Sequence, residues 1–312
     1  MDTAMDRGRE FVIHRNDAGF RLDRTIEVSE TESSQFEGYP KISVIIPTAS
    51  GYRNGLFPAL LKQLSGQSFR NFETIIIKGD SSQGRAINTG ADIARGQYLL
   101  TLDDDTSLVS KDAFEKLARV MENDVSIGMA GGINVIPDDA PFFIRRAMRE
   151  IPRRATPHVE ELRDSDLAEH PLLIMRKEIF ERVGGENELI PRGLDPYLRQ
   201  QFRKAGYRVV VVPGVFYSHL PPATLFKLMN QFYRNGKQAA FCSKFYPQWV
   251  IETPGKHGGD FRERASFTFR LLRYPMRMLK ATIQLKWVLL LTQICYAVGF
   301  LWGYLSLKEK DL

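Results

Sequence analysis

Asp103, Asp104 and Asp105 stand side by side at the end of an apolar run, Tyr98 to Leu102. Adjacent carboxylates repel one another, and crowding them costs free energy unless a cation or hydrogen-bond donors compensate. A divalent cation is the natural compensation. Hard oxygen ligands favour Mg2+ or Mn2+, and Mg2+ takes one or two carboxylates and completes its shell with water and phosphate oxygens. The implied ligand is a diphosphate. Taken alone, the triplet also reads as a solvated turn leading into a helix N-cap. Two other apolar runs end in polar residues: Ile42 to Ile46 in Pro47-Thr48, and Thr74 to Ile77 in Gly79-Asp80-Ser81-Ser82.

These runs must be positioned by something. Helical patterns at about Leu56 to Ser65 and Arg85 to Ala94 alternate with the three β-branched or apolar strands. Strands alternating with helices predict crossover units and a mostly parallel central sheet of the α/β class, in which ligands bind beyond the carboxyl ends of the strands. Upstream, Phe11 to Val28 around Asn16-Asp17-Ala18-Gly19 predicts a hairpin, and Glu30 to Gly38 reads as a linker.

The order strand, Pro-Thr turn, helix, strand ending in Asp80, helix with Asn88 and Gly90, then the strand running into Asp103-Asp104-Asp105 resembles the inverting glycosyltransferases of family 2 over roughly Lys41 to Pro222. That resemblance implies a GT-A, Rossmann-like fold. It implies that Pro47 and Thr48 belong to the first nucleotide-binding strand and that Asp80 reads a uracil ring. Asp103 and Asp104 would lie near the ribose, and Asp105 would hold the metal. Arg85, one turn before Asn88, either reaches a phosphate or is solvated. Gly193-Leu194-Asp195-Pro196-Tyr197 resembles the acceptor-side motif, which makes Asp195 the catalytic base; the alternative is a helix cap. His219 stands where related enzymes place a histidine near the metal or diphosphate, against a purely structural reading. Gln231-Phe232-Tyr233-Arg234 resembles a relaxed form of a membrane-associated motif in which Arg234 neutralises the leaving diphosphate, against an exposed arginine on an amphipathic helix. Four departures stand out: Ala49-Ser50 after the first turn, Gly79 where an aspartate is common, Leu194 where a glutamate often precedes the base, and Asn235 in place of a tryptophan. They argue against a processive synthase.

Trp287 to Leu307 carries no charged residue and is long enough to cross about 30 Å of hydrocarbon as a helix. Before it, Arg262, Arg264, Arg270, Arg273, Arg277, Lys280 and Lys286 are interleaved with apolar residues, as in a basic amphipathic segment on an anionic membrane. A buried, interface-lying or dimerisation helix is the alternative. The net charge of +6 is concentrated there with no nucleic-acid motif, so no nucleic-acid partner is expected. Cys242 and Cys295 lie in unlike contexts and predict neither a disulfide framework nor a metal cluster. Met1 to Glu10 lacks the apolar core of a secretory signal.

The expected organisation is an extension (1–38), a GT-A catalytic domain (39–222), a helical basic membrane-proximal segment (223–282) and a transmembrane helix with a short tail (283–312). The expected function is inverting transfer from a nucleotide diphosphate sugar, UDP-linked by the Asp80 reading, to a lipid-linked or membrane-delivered glycan acceptor. The expected place is the cytoplasmic side of the cell membrane. Two rivals stay open. A sugar nucleotidyltransferase would need a Gly-rich basic loop after the first strand, of which Thr48 to Arg53 is a poor version. A catalytically silent, membrane-tethered sugar-nucleotide binder would explain the motif departures. Oligomeric state is not legible.

Overall fold

The computed structural model describes residues 9–13, 24–30, 39–252, 257–258 and 266–309. In chain order the strands are β1 (Arg9–Ile13), β2 (Arg24–Glu30), β3 (Ile42–Thr48), β4 (Phe72–Lys78), β5 (Tyr98–Thr101), β6 (Thr106–Leu108), β7 (Ile127–Asn134), β8 (Arg163–Asp164), β9 (Leu173–Arg176) and β10 (Arg208–His219). The helices are α1 (Leu56–Ser65), α2 (Gln83–Ile93), α3 (Ala113–Asn123), α4 (Phe142–Glu150), α5 (Lys177–Arg182), α6 (Leu194–Lys204), α7 (Leu225–Phe245), α8 (Phe267–Ile283) and α9 (Trp287–Ser306).

Side chains on a strand alternate between faces, and β3 shows what that does here. Ile42, Val44 and Ile46 join the core under α1 and α3, while Ile45 joins the opposite core with Ile87 of α2 and Phe180 of α5. The sheet is therefore the middle of three layers. Its order is β1-β2-β4-β3-β5-β9-β7-β10-β6, with β8 paired to β10. Pairing is parallel for β4-β3-β5 and for β7-β10, where crossover helices return the chain. It is antiparallel where β9 lies between β5 and β7, and at β1-β2, β2-β4, β6 and β8. The sheet is thus mixed, not mostly parallel. The chain re-enters through the turn His170–Leu172 and threads β9 downward between strands running the other way.

The expected hairpin strands are present and extend the same sheet through β2 and β4, whereas the Asn16 to Gly19 turn and residues 31–38 lie outside the described residues, as do Arg262 and Arg264. β10 runs unbroken from Arg208 to His219. It passes a register shift at Val211/Phe216, where Gly214 adopts φ +70°. Beyond it β10 stays paired with β7 at Phe216 and Tyr217 and with β6 from Tyr217 to His219, which brings its last residue beside the carboxylates that follow β5. One further tight approach matters: a Cβ on Gly90 would lie 2.5 Å from Ile45 Cγ2, so α2 can sit down on β3 only with glycine there.

Candidate active site

The three strand ends converge. Thr48, closing β3, donates its hydroxyl to Asp104 Oδ2 at 2.7 Å. Gln83, opening α2, donates its side-chain amide to Asp103 Oδ1 at 2.8 Å. His219 at the end of β10 pairs in register with Thr106 of β6, which sets its Nε2 3.0 Å from Asp105 Oδ1 and 3.8 Å from Asp103 Oδ2. One ligand atom from each of Asp103, Asp105 and His219 lies within 4.8 Å of the others. Burial, with Asp105 and Asp195 close by, raises Asp103 to about 6 against the opposing pull of His219 and His170. Burial also works against a charged Asp105, but the His219 hydrogen bond and Arg53 outweigh it and hold Asp105 well below the usual carboxylate range. Two carboxylates and an imidazole within this span suit a divalent cation.

Arg53 was not anticipated at this site. Its Nη2 and Nε donate to Asp105 Oδ2 at 2.7 and 3.2 Å, and its Nε lies 3.5 Å from Asp104 Oδ1. It stands in a loop where Arg53 and Asn54 both take positive φ, 45° and 55°, a conformation costly for residues with a Cβ. The one basic residue of the loop after β3 is thus turned onto the carboxylates.

Asp80 and Arg85 meet each other. Arg85 Nε and Nη2 grip both oxygens of Asp80 at 2.7 to 3.2 Å, and Ser82 N donates to Asp80 Oδ1 at 2.9 Å. Asp80 was expected to read the base and Arg85 either to reach a phosphate or to be solvated; here the two form one fork-shaped ion pair at the start of α2.

Asp195 lies in the first turn of α6, but the cap of that helix is Gly193, with φ +89°. The carboxylate turns away from its own helix and accepts the backbone N–H of His170 at 2.8 Å on Oδ1. A cap role is therefore excluded. His170 is buried, with Nε2 2.8 Å from Glu186 Oε1, Nδ1 3.0 Å from the Thr101 hydroxyl and Nε2 3.9 Å from Asp195. Thr101 donates to the His170 carbonyl at 3.2 Å, which leaves its lone pair for Nδ1–H. Thr101 thus favours a proton on Nδ1, and the Glu186 carboxylate beside Nε2 favours a second. Burial disfavours that charge, yet Asp195, Glu186 and Asp103 together push His170 up to about 9. Burial likewise opposes a charged Asp195, but His170, Arg199 and Arg153 prevail and lower it. Asn88 fixes the far end of this relay, for its amide donates to the carbonyl of Glu186 at 3.0 Å and accepts its N–H at 2.8 Å.

Arg154 was missed as well. Its Nη2 donates to Gln231 of α7 at 2.7 Å, and its charge acts on His219. It is Gln231, not Arg234, that α7 turns inward; Arg234 stays on the exposed face.

The family model Glycosyl transferase family 2 matches residues 58–184. That stretch, less than half of the chain, resembles a family 2 glycosyltransferase domain. The match includes Asp80, Arg85, Asn88 and Asp103 to Asp105 and stops before Asp195 and His219, which are placed by geometry alone. The chain is 25% identical over 191 residues to an uncharacterized glycosyltransferase of Haemophilus influenzae, covering 50% of this chain and 59% of that one, so it spans less than two thirds of its relative. Among solved structures it resembles the mannosyltransferase PcManGT of Pyrobaculum calidifontis, in complex with GDP-Man and Mn2+. The TM-score is 0.53 at 14% identity, over 85% of this chain and 88% of the other. That likeness shows a GT-A-like fold.

Proposed function

We propose that the chain is an inverting glycosyltransferase that moves a sugar from a nucleoside diphosphate to a hydroxyl of a lipid-linked or membrane-delivered glycan. The observation that carries this reading is Asp195: a carboxylate free of any capping duty, kept ionised by a buried imidazolium, electrostatically coupled to Asp103. Oδ1 is held by His170 N–H, and Oδ2 is the atom that accepts the acceptor's proton. As the acceptor oxygen bonds to the anomeric carbon from one face, the bond to the diphosphate oxygen breaks on the other. The proton ends on Asp195, and the nucleoside diphosphate leaves.

Asp105 and His219, with Asp103 beside them, would hold a divalent cation, which when bound supplies positive charge to the departing diphosphate. Arg53 and Arg154 are further cations at the same end of the sheet. Pro47 and Thr48 would line the nucleotide, with Thr48 orienting Asp104. The UDP reading rests on the place of Asp80, whose carboxylate Arg85 would have to share. Arg234 would act on the diphosphate only if its side chain swung in from the exposed face of α7.

Purified full-length chain with Mn2+ and a panel of UDP-sugars and GDP-mannose tests this, using a lipid-diphosphate-linked acceptor and proton NMR of the new anomeric centre. An α-linked donor is expected to yield a β-linked product. Retention of configuration, or no transfer from any donor, would sink the proposal.

The relay behind Asp195 makes a separate prediction. His170→Gln removes the positive charge facing Asp195 and leaves Glu186 nearby, so the pKa of the base rises. Because the base works only when ionised, the acid limb of the kcat/KM profile should move to higher pH by about one unit, with donor KM unchanged. Glu186→Gln removes a negative charge while His170 stays protonated over the acid limb, so it should move the limb the other way. His170 is raised from 6.5 to about 9 on folding, so its stabilising contribution is complete below pH 6.5 and lost as pH rises toward 9. The fall in Tm over that window should flatten in His170→Gln. An unmoved acid limb in both variants would show that the relay is only structural.

A further inference from the structure

We infer that α9 lies in the plane of an anionic membrane surface alongside α7 and α8, and that it docks the catalytic domain without crossing the bilayer. The helix has the length and composition of a span, 20 residues or about 30 Å. Its packing decides against that use. α9 runs parallel to α7, from Leu228 beside Val288 to Lys244 beside Tyr304. The two backbones touch through glycines: a Cβ on Gly236 would lie 2.1 Å from the Tyr296 carbonyl, and one on Gly299 2.1 Å from the Tyr233 carbonyl. Small residues at such spacing hold helices in close pairs. A crossing α9 would have to abandon this seam or drag α7 into hydrocarbon. α7 carries Lys227, Arg234, Lys237 and Lys244 along its whole length, and hydrocarbon is a costly place for each.

The start of α9 is also pinned to α4 and its end to α7. Glu150 of α4 accepts the N–H groups of Val288 and Leu289 at 2.9 and 3.1 Å, which satisfies the start of the helix. At the other end, Lys244 donates to the carbonyls of Tyr304 and Leu307 at 3.1 and 2.9 Å. A helix tied to α4 at its start and to α7 at its end stays with both.

What this leaves outward is an apolar surface. On α8, Leu272, Met276, Leu279 and Ile283 recur at helical spacing and are 62% to 73% exposed. On α9, Val298, Leu301 and Leu305 form a second exposed stripe, and Tyr274 ties the two helices by donating to the Gln293 carbonyl at 2.6 Å. The occupant follows from charge. α7, α8 and α9 together carry eight Lys and Arg and no Asp or Glu, a pattern that complements phosphatidylglycerol-type headgroups while the stripes enter the upper acyl region.

The test uses the full chain with both native cysteines replaced, Cys242→Ser and Cys295→Ser, and a single new cysteine, Lys286→Cys or Lys308→Cys. In sealed inverted membrane vesicles from producing cells, an impermeant maleimide should label both positions to within about twofold before detergent is added. Labelling of Lys308→Cys only after detergent would establish a span and overturn the inference. In flotation, the unaltered chain should bind vesicles of equal phosphatidylglycerol and phosphatidylcholine at least tenfold more tightly than pure phosphatidylcholine. Leu272→Asp with Met276→Asp should abolish binding with no change in Tm, since both side chains are exposed. Equal binding to the two vesicle types would also overturn it. So would a lipid-free dimer, seen by sedimentation equilibrium, that the same double change dissociates, because the stripe would then belong to a second copy.

Discussion

Asp195→Asn is expected to lower the rate of sugar transfer by on the order of 10² to 10⁴, the usual share of a general base. Asparagine keeps an oxygen where Oδ1 accepts the His170 N–H, so the turn before β9 should hold its shape. It cannot take a proton at the other position. Donor KM should change little, because the carboxylates that would face the diphosphate are untouched and the loss falls on the chemical step. The variant does remove a negative charge that His170, Arg199 and Arg153 stabilise. Asp195 is depressed in the folded state, so its contribution is present above the unfolded carboxylate pKa and lost as pH falls through the folded value. Tm at pH 7 should therefore drop by roughly 2–4 °C, about 1 kcal/mol in a domain of this size, and the difference should close in acid. Near wild-type turnover would mean that another group is the base.

The parts of this site legible in sequence are those that end a strand. Ile42 to Ile46, Thr74 to Ile77 and Tyr98 to Leu102 announce themselves as apolar runs followed by polar residues, and α1 occupies Leu56–Ser65, the range its periodicity predicts. β7 had no such signal. Its sequence, Ile-Gly-Met-Ala-Gly-Gly-Ile-Asn, is poor in strand formers because neighbours press on the backbone: a Cβ on Gly131 would meet the Cα of Ala168 at 2.7 Å, and one on Gly128 would meet Phe202 and Tyr207 at 2.7 Å. With β7 unread, the antiparallel insertion of β9 could not be foreseen, and the sheet was expected to be mostly parallel.

The relay behind Asp195 was hidden for a different reason. Thr101, Asn88, His170 and Glu186 are spread over 99 positions, and each is an ordinary polar residue on its own; only the fold brings them together. Arg53 and Arg154 are invisible for the same reason. By contrast, Arg234 sits in a recognisable motif and was expected inward, but the register of α7 turns Gln231 to Arg154 instead. A helix places residues three apart on neighbouring but not identical faces, and the motif alone does not say which one leads.

Asp105→Asn should cost transfer on the order of 10³ or more and should do so by removing the cation, as chelation with EDTA does to the unaltered chain. The carboxylate lies between His219 and Arg53, and its depressed pKa shows how strongly that setting favours the charged form. A neutral amide at the same place is a far weaker ligand and leaves Asp103 to hold the ion with His219. The decisive reading is independent of turnover. A ligand that binds only the folded state adds about 2.7 kcal/mol at 100 times its Kd, so Mn2+ should raise the Tm of the wild-type protein and leave that of Asp105→Asn nearly unchanged. Without metal, Asp105→Asn should be the less stable protein at pH 7, since the charge of Asp105 stabilises the fold above the unfolded carboxylate pKa and the advantage fades as pH falls. Relief of repulsion with Asp103 works in the opposite direction, but the lowered pKa of Asp105 means the attraction to His219 and Arg53 exceeds it. Full turnover in EDTA, or an Mn2+ shift in Tm equal in the two proteins, would show that the carboxylates at the end of β5 serve some purpose other than holding a cation.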